Sequence, residues 1–397
     1  MAGPFLARNV EVFVQKEAVW GTSPGALAGT DALKHTSGKA IKKVVARRDR
    51  DQDRDYDSPS VLTTQKGREK SEFNLECQVI PSGNGTTPTE PDVDPLLNAH
   101  FGYKHKATAH TTTAAGSVGT SINFATGGVA ASGVEVGDII FIDVSTTYGY
   151  EARRITALPG GDVVTVNAGF SVDPAAGCTV KVGTTYHFKS GSEPSSVHVW
   201  EFIEGNNFRH VAPGTLVQNV EGEFDFSNDT PAGTLKFSGE GQAEAAQTST
   251  SRPTPTTAGV PLVPDGSYAF VGATRNCMLK GSFKSNNGME LRENESCTLY
   301  PSGVKRTGNN SRNQVEGSVS MLLTTGTVEG YYDNQSSLTA YDLILQFGKT
   351  AGAMVAVAMP KFIPDVPAAE QDGEVSLDLS GRAYGTSGHD ELYIAFA

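Results

Sequence analysis

The sequence predicts an all-β protein made of two like modules, each with one short helix, plus a small β-domain inserted in the first. Three observations predict this. Gly 44 and Pro 20 in 397 residues, with much Thr and Ser, favour many short strands and turns over helices. The run Glu72-Phe73-Asn74-Leu75-Glu76-Cys77-Gln78-Val79 alternates strictly. A strand therefore carries Phe73, Leu75, Cys77 and Val79 on one face and Glu72, Asn74, Glu76 and Gln78 on the other. Glu316 to Leu323 repeats that phase, with Val319, Met321 and Leu323 apolar and Glu316, Ser318 and Ser320 polar.

The elements follow in order. Val10 to Val14 reads as a short strand, and a charged connection spans 42–70 before the alternating strand. Asp94 is placed to cap a helix, Pro95 fits its first turn and Gly102 its end. Ser336 to Asp342 occupies the matching place in the second copy. The repeat then breaks and resumes: Val211-Ala212-Pro213 with Leu216 matches Ala358-Met359-Pro360 with Ile363. Both copies run on to a strand ending in Ser-Gly, Leu235 to Gly239 and Leu377 to Gly381.

The break marks an insertion at 103–195. Val136 to Ile142, Ala152 to Ala157 and Val163 to Val166 read as its strands, with a turn at Pro159 to Asp162. That spacing suggests a small barrel or sandwich. A Pro/Thr/Ser linker at 247–260 separates the copies. The organisation is a first module at 1–102 plus 196–246, the insert at 103–195, and a second module at 261–397.

A net charge of −12 and a pI near 5.2 argue against sequence-independent nucleic-acid binding, which needs clustered Lys and Arg. No apolar run approaches about 18 residues, so no membrane helix is expected. Met1 to Val14 does not read as a signal peptide. Cys77, Cys178, Cys277 and Cys297 form no CxxC pair, which argues against zinc. The chain reads as made and folded in a reducing cytoplasm.

His100, His105 and His110 are spaced by five, which keeps them on no common face of a helix or strand. Gly385 to Asp390 brings Ser, His and Asp together, but as a glycine-rich turn before a last strand. Trp20, Trp200, Tyr331 and Tyr332 lie away from basic clusters and read as core or interface groups. No catalytic, cofactor-binding or metal-binding residue is assigned, and the chain is not read as an enzyme.

The order of elements resembles the tail tube protein of long-tailed bacteriophages (siphophages), in the variety with two tube modules per chain. Glu69 to Val79, Asp94 to Gly102, Val315 to Leu323 and Gly373 to Tyr384 carry the resemblance. It implies a structural virion protein, with homotrimer rings of pseudo-sixfold symmetry stacked into a hollow tail tube. The inner wall would be a continuous β-barrel, crossed by double-stranded DNA without specific binding. Implied partners are the tape measure, tail tip and tail terminator proteins, with no cofactor and no membrane. The tube would form in the host cytoplasm and reside in the virion tail.

The resemblance also sorts the charged residues. Glu72, Glu76, Glu221, Glu223, Asp225, Glu316, Glu374 and Asp378 are candidate lumen-facing acids, the alternative being an ordinary solvated face. The run Arg47, Arg48, Asp49, Arg50, Asp51, Asp53, Arg54, Asp55 and Asp57 is a candidate ring-stacking loop. A calcium loop lacks support, because Arg54 and Ser60 stand where glycine and glutamate are needed. A solvated loop is the other alternative. The insert is expected to project outward as decoration, so that its deletion leaves tubes thinner but intact. Other readings are a surface adhesin of β-sandwich domains, a carbohydrate-binding protein, or the tube of a contractile injection system.

Overall fold

A computed structural model describes residues 10–36, 40–48, 65–81, 85–203, 208–225, 232–243, 245–248, 251–256, 262, 266–292, 301, 303–306, 313–322, 337–365, 368–372, 374–386 and 388–397. The chain begins with β1 (Val10–Lys16), β2 (Ala32–Leu33), β3 (Ile41–Arg48) and the long β4 (Gln65–Gln78). Helix α1 (Asp94–Phe101) leads into β5 (Gly102–Lys106). Next come β6 (Thr111–Thr112), β7 (Ser121–Asn123), α2 (Gly128–Ser132), β8 (Ile139–Ser145), β9 (Gly149–Gly160), β10 (Val163–Val166) and β11 (Thr179–Val182). The first half closes with β12 (Thr184–Phe188), β13 (Ser196–Ile203), β14 (Phe208–Asp225), β15 (Ala232–Gln242) and β16 (Ala245–Thr248). The second half holds β17 (Tyr268–Val271), β18 (Thr274–Asn286), β19 (Met289–Leu291), β20 (Val304–Arg306), β21 (Gln314–Leu322) and β22 (Tyr341–Phe347). It ends with β23 (Val355–Pro364), β24 (Ala368–Asp372), β25 (Glu374–Ala383) and β26 (Tyr393–Phe396). The fold is all-β.

Two expectations shift in detail. Asp94 is the first helical residue of α1, not its cap. Its carboxylate accepts hydrogen bonds from Lys104 Nζ and Tyr186 OH at 2.8 Å each. Gly102, at φ 76°, ends the helix in the left-handed conformation that glycine adopts without strain. The helix expected at 336–342 is absent among the described residues there. Ser337 and Leu338 form a turn, and Tyr341 already starts β22, where Leu343, Leu345 and Phe347 alternate into the core.

Eight strands form one continuous antiparallel sheet in the order β3–β4–β15–β14–β18–β21–β25–β24. Its apolar face carries Phe73, Leu75, Val220, Phe224, Leu235, Phe237, Phe283, Val319, Met321, Leu377 and Leu379, all buried. Aromatics on this face lie over glycines of the next strand. A Cβ on Gly222 would stand 2.1 Å from the Phe283 ring, so only glycine fits there.

The halves run through the same pairings. In the first, β1–β13–β14–β16 covers the core, and in the second β17–β22–β23–β26 does. The registers match as well. Val217 faces Gly239 as Pro364 faces Gly381, and Phe208 faces Thr248 as Val355 faces Phe396. The halves join where β14 pairs with β18, and His100 of α1 stitches that seam. Its ring nitrogens sit 2.9 Å from Ser285 Oγ and 3.2 Å from the Val217 carbonyl oxygen.

The segment from β6 to β11 is a small barrel in the order β6–β11–β8–β9–β10–β7, closed where Thr113 bridges Phe124. Ile140, Ile142, Ile155, Val164 and Val180 fill it. Its flanking strands β5 and β12 pair with each other, and β12 pairs with β26, so the barrel stands at the end of a hairpin reaching into the second half. Residues 251–256 lie along the first half, where Arg252 meets Glu11 and Thr256 N donates to Gly29 O at 2.9 Å.

Candidate functional site

The second face of the eight-stranded sheet is wet and charged. On β14, Glu221, Glu223 and Asp225 project from it because Val220 and Phe224 take the core positions. On β18, Lys280, Ser282, Lys284 and Asn286 do the same opposite Gly281 and Phe283. Register sets them in rows. Glu76, Lys236, Glu221, Lys284, Glu316 and Arg382 stand side by side across six strands, alternating in sign.

The adjoining row is uncharged: Asn74, Ser238, Asn219, Asn286 and Gln314. Asn286 Nδ2 donates to Asn219 Oδ1 at 2.6 Å, and Asn219 Nδ2 donates to Ser238 Oγ at 3.2 Å.

Carboxylates and cations on this face are matched. Lys284 lies 2.7 Å from Glu221, Lys280 3.2 Å from Asp225, Lys236 3.2 Å from Glu223 and Arg382 3.6 Å from Glu316. Toward β3, Lys42 lies 3.0 Å from Glu72 and Lys70 2.6 Å from Glu240. The hydrogen bond to Glu223 raises the Lys236 pKa, and that to Glu221 raises the Lys284 pKa. Such exposed pairs add at most about 1 kcal/mol each to stability. Their larger effect is on the field: positive charge is nowhere concentrated among these pairs, and clustered cations are what attract phosphate.

The expected acids thus fall together in part. Glu72, Glu76, Glu221, Glu223, Asp225, Glu316 and Asp378 share this face. Glu374 opens β25 opposite Asp372, and its side chain lies outside the described residues. The sequence reading missed the cations between the acids. Their signal was the alternation Lys280-x-Ser282-x-Lys284-x-Asn286, which matches the acidic strands in period.

The candidate stacking loop leaves the sheet where Arg48 faces Gln65. The Arg47 and Arg48 side chains and the whole of Asp49, Arg50, Asp51, Asp53, Arg54, Asp55 and Asp57 lie outside the described residues. Tyr331, Tyr332 and Cys297 do too.

The remaining motifs are dispersed. His100 is wholly buried at the seam, and burial lowers its pKa to about 4. His105 instead lies 2.8 Å from Asp138, whose hydrogen bond raises its pKa. His110 sits beside Val182 N. No group of metal-ligating side chains forms among the described residues. Cys77 faces the core, and burial pushes its thiol up to about 12, so it behaves as a small hydrophobe. Thr386 N donates to Asp390 Oδ1 in the turn before β26.

Among the described residues this sheet has one dry face, one charged face and an unpaired strand edge at each end. A family model described as "Phage tail tube protein" matches residues 7–383, nearly the whole chain, and the chain belongs to that family. No curated protein matches the sequence. The protein is therefore a structural component of the virion tail of a bacteriophage, built to assemble with its own kind into a tube.

Proposed function

We propose that three chains close into a ring of pseudo-sixfold symmetry, and that rings stack into the hollow tail tube of a siphophage, the conduit for viral DNA at ejection. The observation that carries this is the eight-stranded sheet, which repeats one pairing order twice and ends in two open edges, β3 and β24, among the described residues. Eight is even, so β24 of one chain runs antiparallel to β3 of the next, and copies join without reversing direction.

Three such sheets make a barrel of 24 strands. With strands about 4.8 Å apart and tilted by about 40°, its wall is about 50 Å across. That leaves room for a double helix inside a hydrated layer of side chains. Closure also removes both sheet edges. On this reading the charged face lines the bore, and its paired charges let DNA pass without specific binding. The loop from Arg47 to Asp57 clips one ring to the next. The tape measure, tail tip and tail terminator proteins are the partners, met in the host cytoplasm.

Electron microscopy of the purified chain tests the proposal. Rings with threefold symmetry, stacked into tubes with Glu221 and Lys284 toward the bore, are expected. A chain that stays monomeric, or tubes with that face outward, would overturn it.

A further inference from the structure

We propose that the seam between neighbouring chains copies the seam inside one chain, residue for residue, so that Ala368 stands opposite Lys42 of the next chain and Ala369 opposite its Ile41. This rests on the ring reading above and deepens it from a kind of contact to a register.

The internal seam is the template. There, β14 and β18 pair with Glu221 opposite Lys284 and Gly222 opposite Phe283. The outer strand of the second half stands where β14 stands in the first. Glu221 faces Lys236 on β15, and Ala368 faces Asp378 on β25. Lys236 and Asp378 each lie two residues before the Ser-Gly pair that fixes the match, Ser238-Gly239 and Ser380-Gly381. The other edge matches β18 in the same way. Lys42 faces Glu72 as Lys284 faces Glu316, and Ile41 faces Phe73 as Phe283 faces Gly317. Substituting equivalents into the internal pairs gives the external ones.

The two edge strands differ in net charge: β3 reads Ile-Lys-Lys-Val-Val-Ala-Arg-Arg and β24 reads Ala-Ala-Glu-Gln-Asp. Opposite net charge speeds the approach of two copies. Counting on from Ala368 opposite Lys42, Glu370 falls opposite Ala40, so these charges do not pair across the seam. At the meeting row, however, Ala368 replaces the acid that Lys284 meets inside the chain. Lys42 keeps its own partner, Glu72, at 3.0 Å. The external seam therefore depends on backbone pairing, not on a salt bridge across it.

Cysteine cross-linking reads the register. Facing Cα atoms in antiparallel strands lie about 4.5–5.5 Å apart, within the span of a disulfide. In a Cys277→Ser, Cys297→Ser parent, Lys42→Cys with Ala368→Cys is expected to oxidise into covalent dimers and trimers on a denaturing gel. Lys42→Cys with Glu370→Cys, two residues out of register, is expected to stay monomeric there. Glu221→Cys with Lys284→Cys reports the fold separately, closing inside one chain. Tubes that cross-link through the shifted pair, or through neither, would overturn the register while leaving the tube intact. Absence of rings from the parent, with the internal disulfide formed, would overturn the ring reading and this register together.

Discussion

In the first half, Phe13, Trp200 and Val211 lie side by side on the outer face of β1, β13 and β14. In the second half, Phe270, Ile344 and Ala358 hold the same places on β17, β22 and β23. Both stripes are buried, under different covers. The first lies under the connection between β1 and β3, with Leu27 and Ala32 packed on it. Glu17 anchors that connection, accepting hydrogen bonds from Gly21 N, Gly214 N and Ser196 Oγ at 2.6–2.9 Å beside His198 at 3.1 Å. In the second half, β17 turns straight into β18 at Gly272, leaving no such segment. The barrel fills the gap, laying Ile139, Phe141 and Ala152 on the stripe.

Even the anchors correspond. His198 precedes Trp200 by two residues and holds Glu17, while Asp342 precedes Ile344 by two and lies 3.4 Å from Arg154 of the barrel. Gln346 fastens the barrel further, accepting from Ala152 N and donating to Tyr150 O at 2.7 Å each. Arg153 is fully buried between the rings of Phe170 and Phe270 and lies 3.0 Å from Glu151. An apolar sheet face must be covered, and the chain covers it with whatever its connections can deliver. The expectation of an outward, optional decoration does not include this contact, in which the barrel covers the second half's stripe.

Removing the barrel is the strongest way to break the comparison. Joining Lys106 to Thr184, which already face each other, would bare Phe270, Ile344 and Tyr393. Large apolar side chains are worth about 1.5–3 kcal/mol each, and whole domains only about 5–15. Insoluble or dye-binding chain is expected, and a soluble product melting like the parent would mean this cover is dispensable. Arg153→Ala leaves Glu151 buried with one cation fewer and is expected to cost about 3–5 kcal/mol in denaturant unfolding.

The first cover has its own test. Burial works to raise the Glu17 pKa, but hydrogen bonds from His198, Gly214, Ser196 and Gly21 prevail and lower it. Glu17→Ala should cost about 3 kcal/mol, loosening 17–33 in hydrogen exchange while the barrel stays protected. Equal loosening of both covers would contradict their independence.

His100, outside both covers, gauges the seam. Its pKa falls from 6.5 unfolded to about 4 folded, so the unfolded chain takes up the proton first. Its contribution is full above about pH 6.5 and is lost as pH drops toward 4, by no more than about 3 kcal/mol. His100→Gln should flatten that part of the stability profile relative to the parent. Glu221→Gln, on the exposed face, should change unfolding by less than about 1 kcal/mol; a larger loss would mean the charged rows carry the fold.

How far the sequence led can be judged from single strands. Phe73, Leu75 and Cys77 alternated against Glu72 and Glu76, and one wet face makes such a strand plain. β8 was visible as an apolar run for the opposite reason: Ile140 and Ile142 fill the barrel while Ile139 and Phe141 meet the second half. The strand β3 was lost inside a charged connection, because an edge strand rich in Lys and Arg lacks that contrast. The lysines among the acids escaped because their meaning depends on register between distant strands. Arg153 and Gln346 were silent for a related reason, since nothing in a chain marks a charge or amide that a fold will bury.

The crossing of β12 onto β26 sets an order in time. Synthesis delivers Thr184–Phe188 long before Tyr393–Phe396, the strand that completes its hydrogen bonds. Until Tyr393–Phe396 has been made, a nascent chain holds an incomplete sheet and a barrel without part of its seat. A chain lacking β26 would leave one edge of β12 unpaired and Ile139 and Phe141 without Tyr393 and Ala395 beside them.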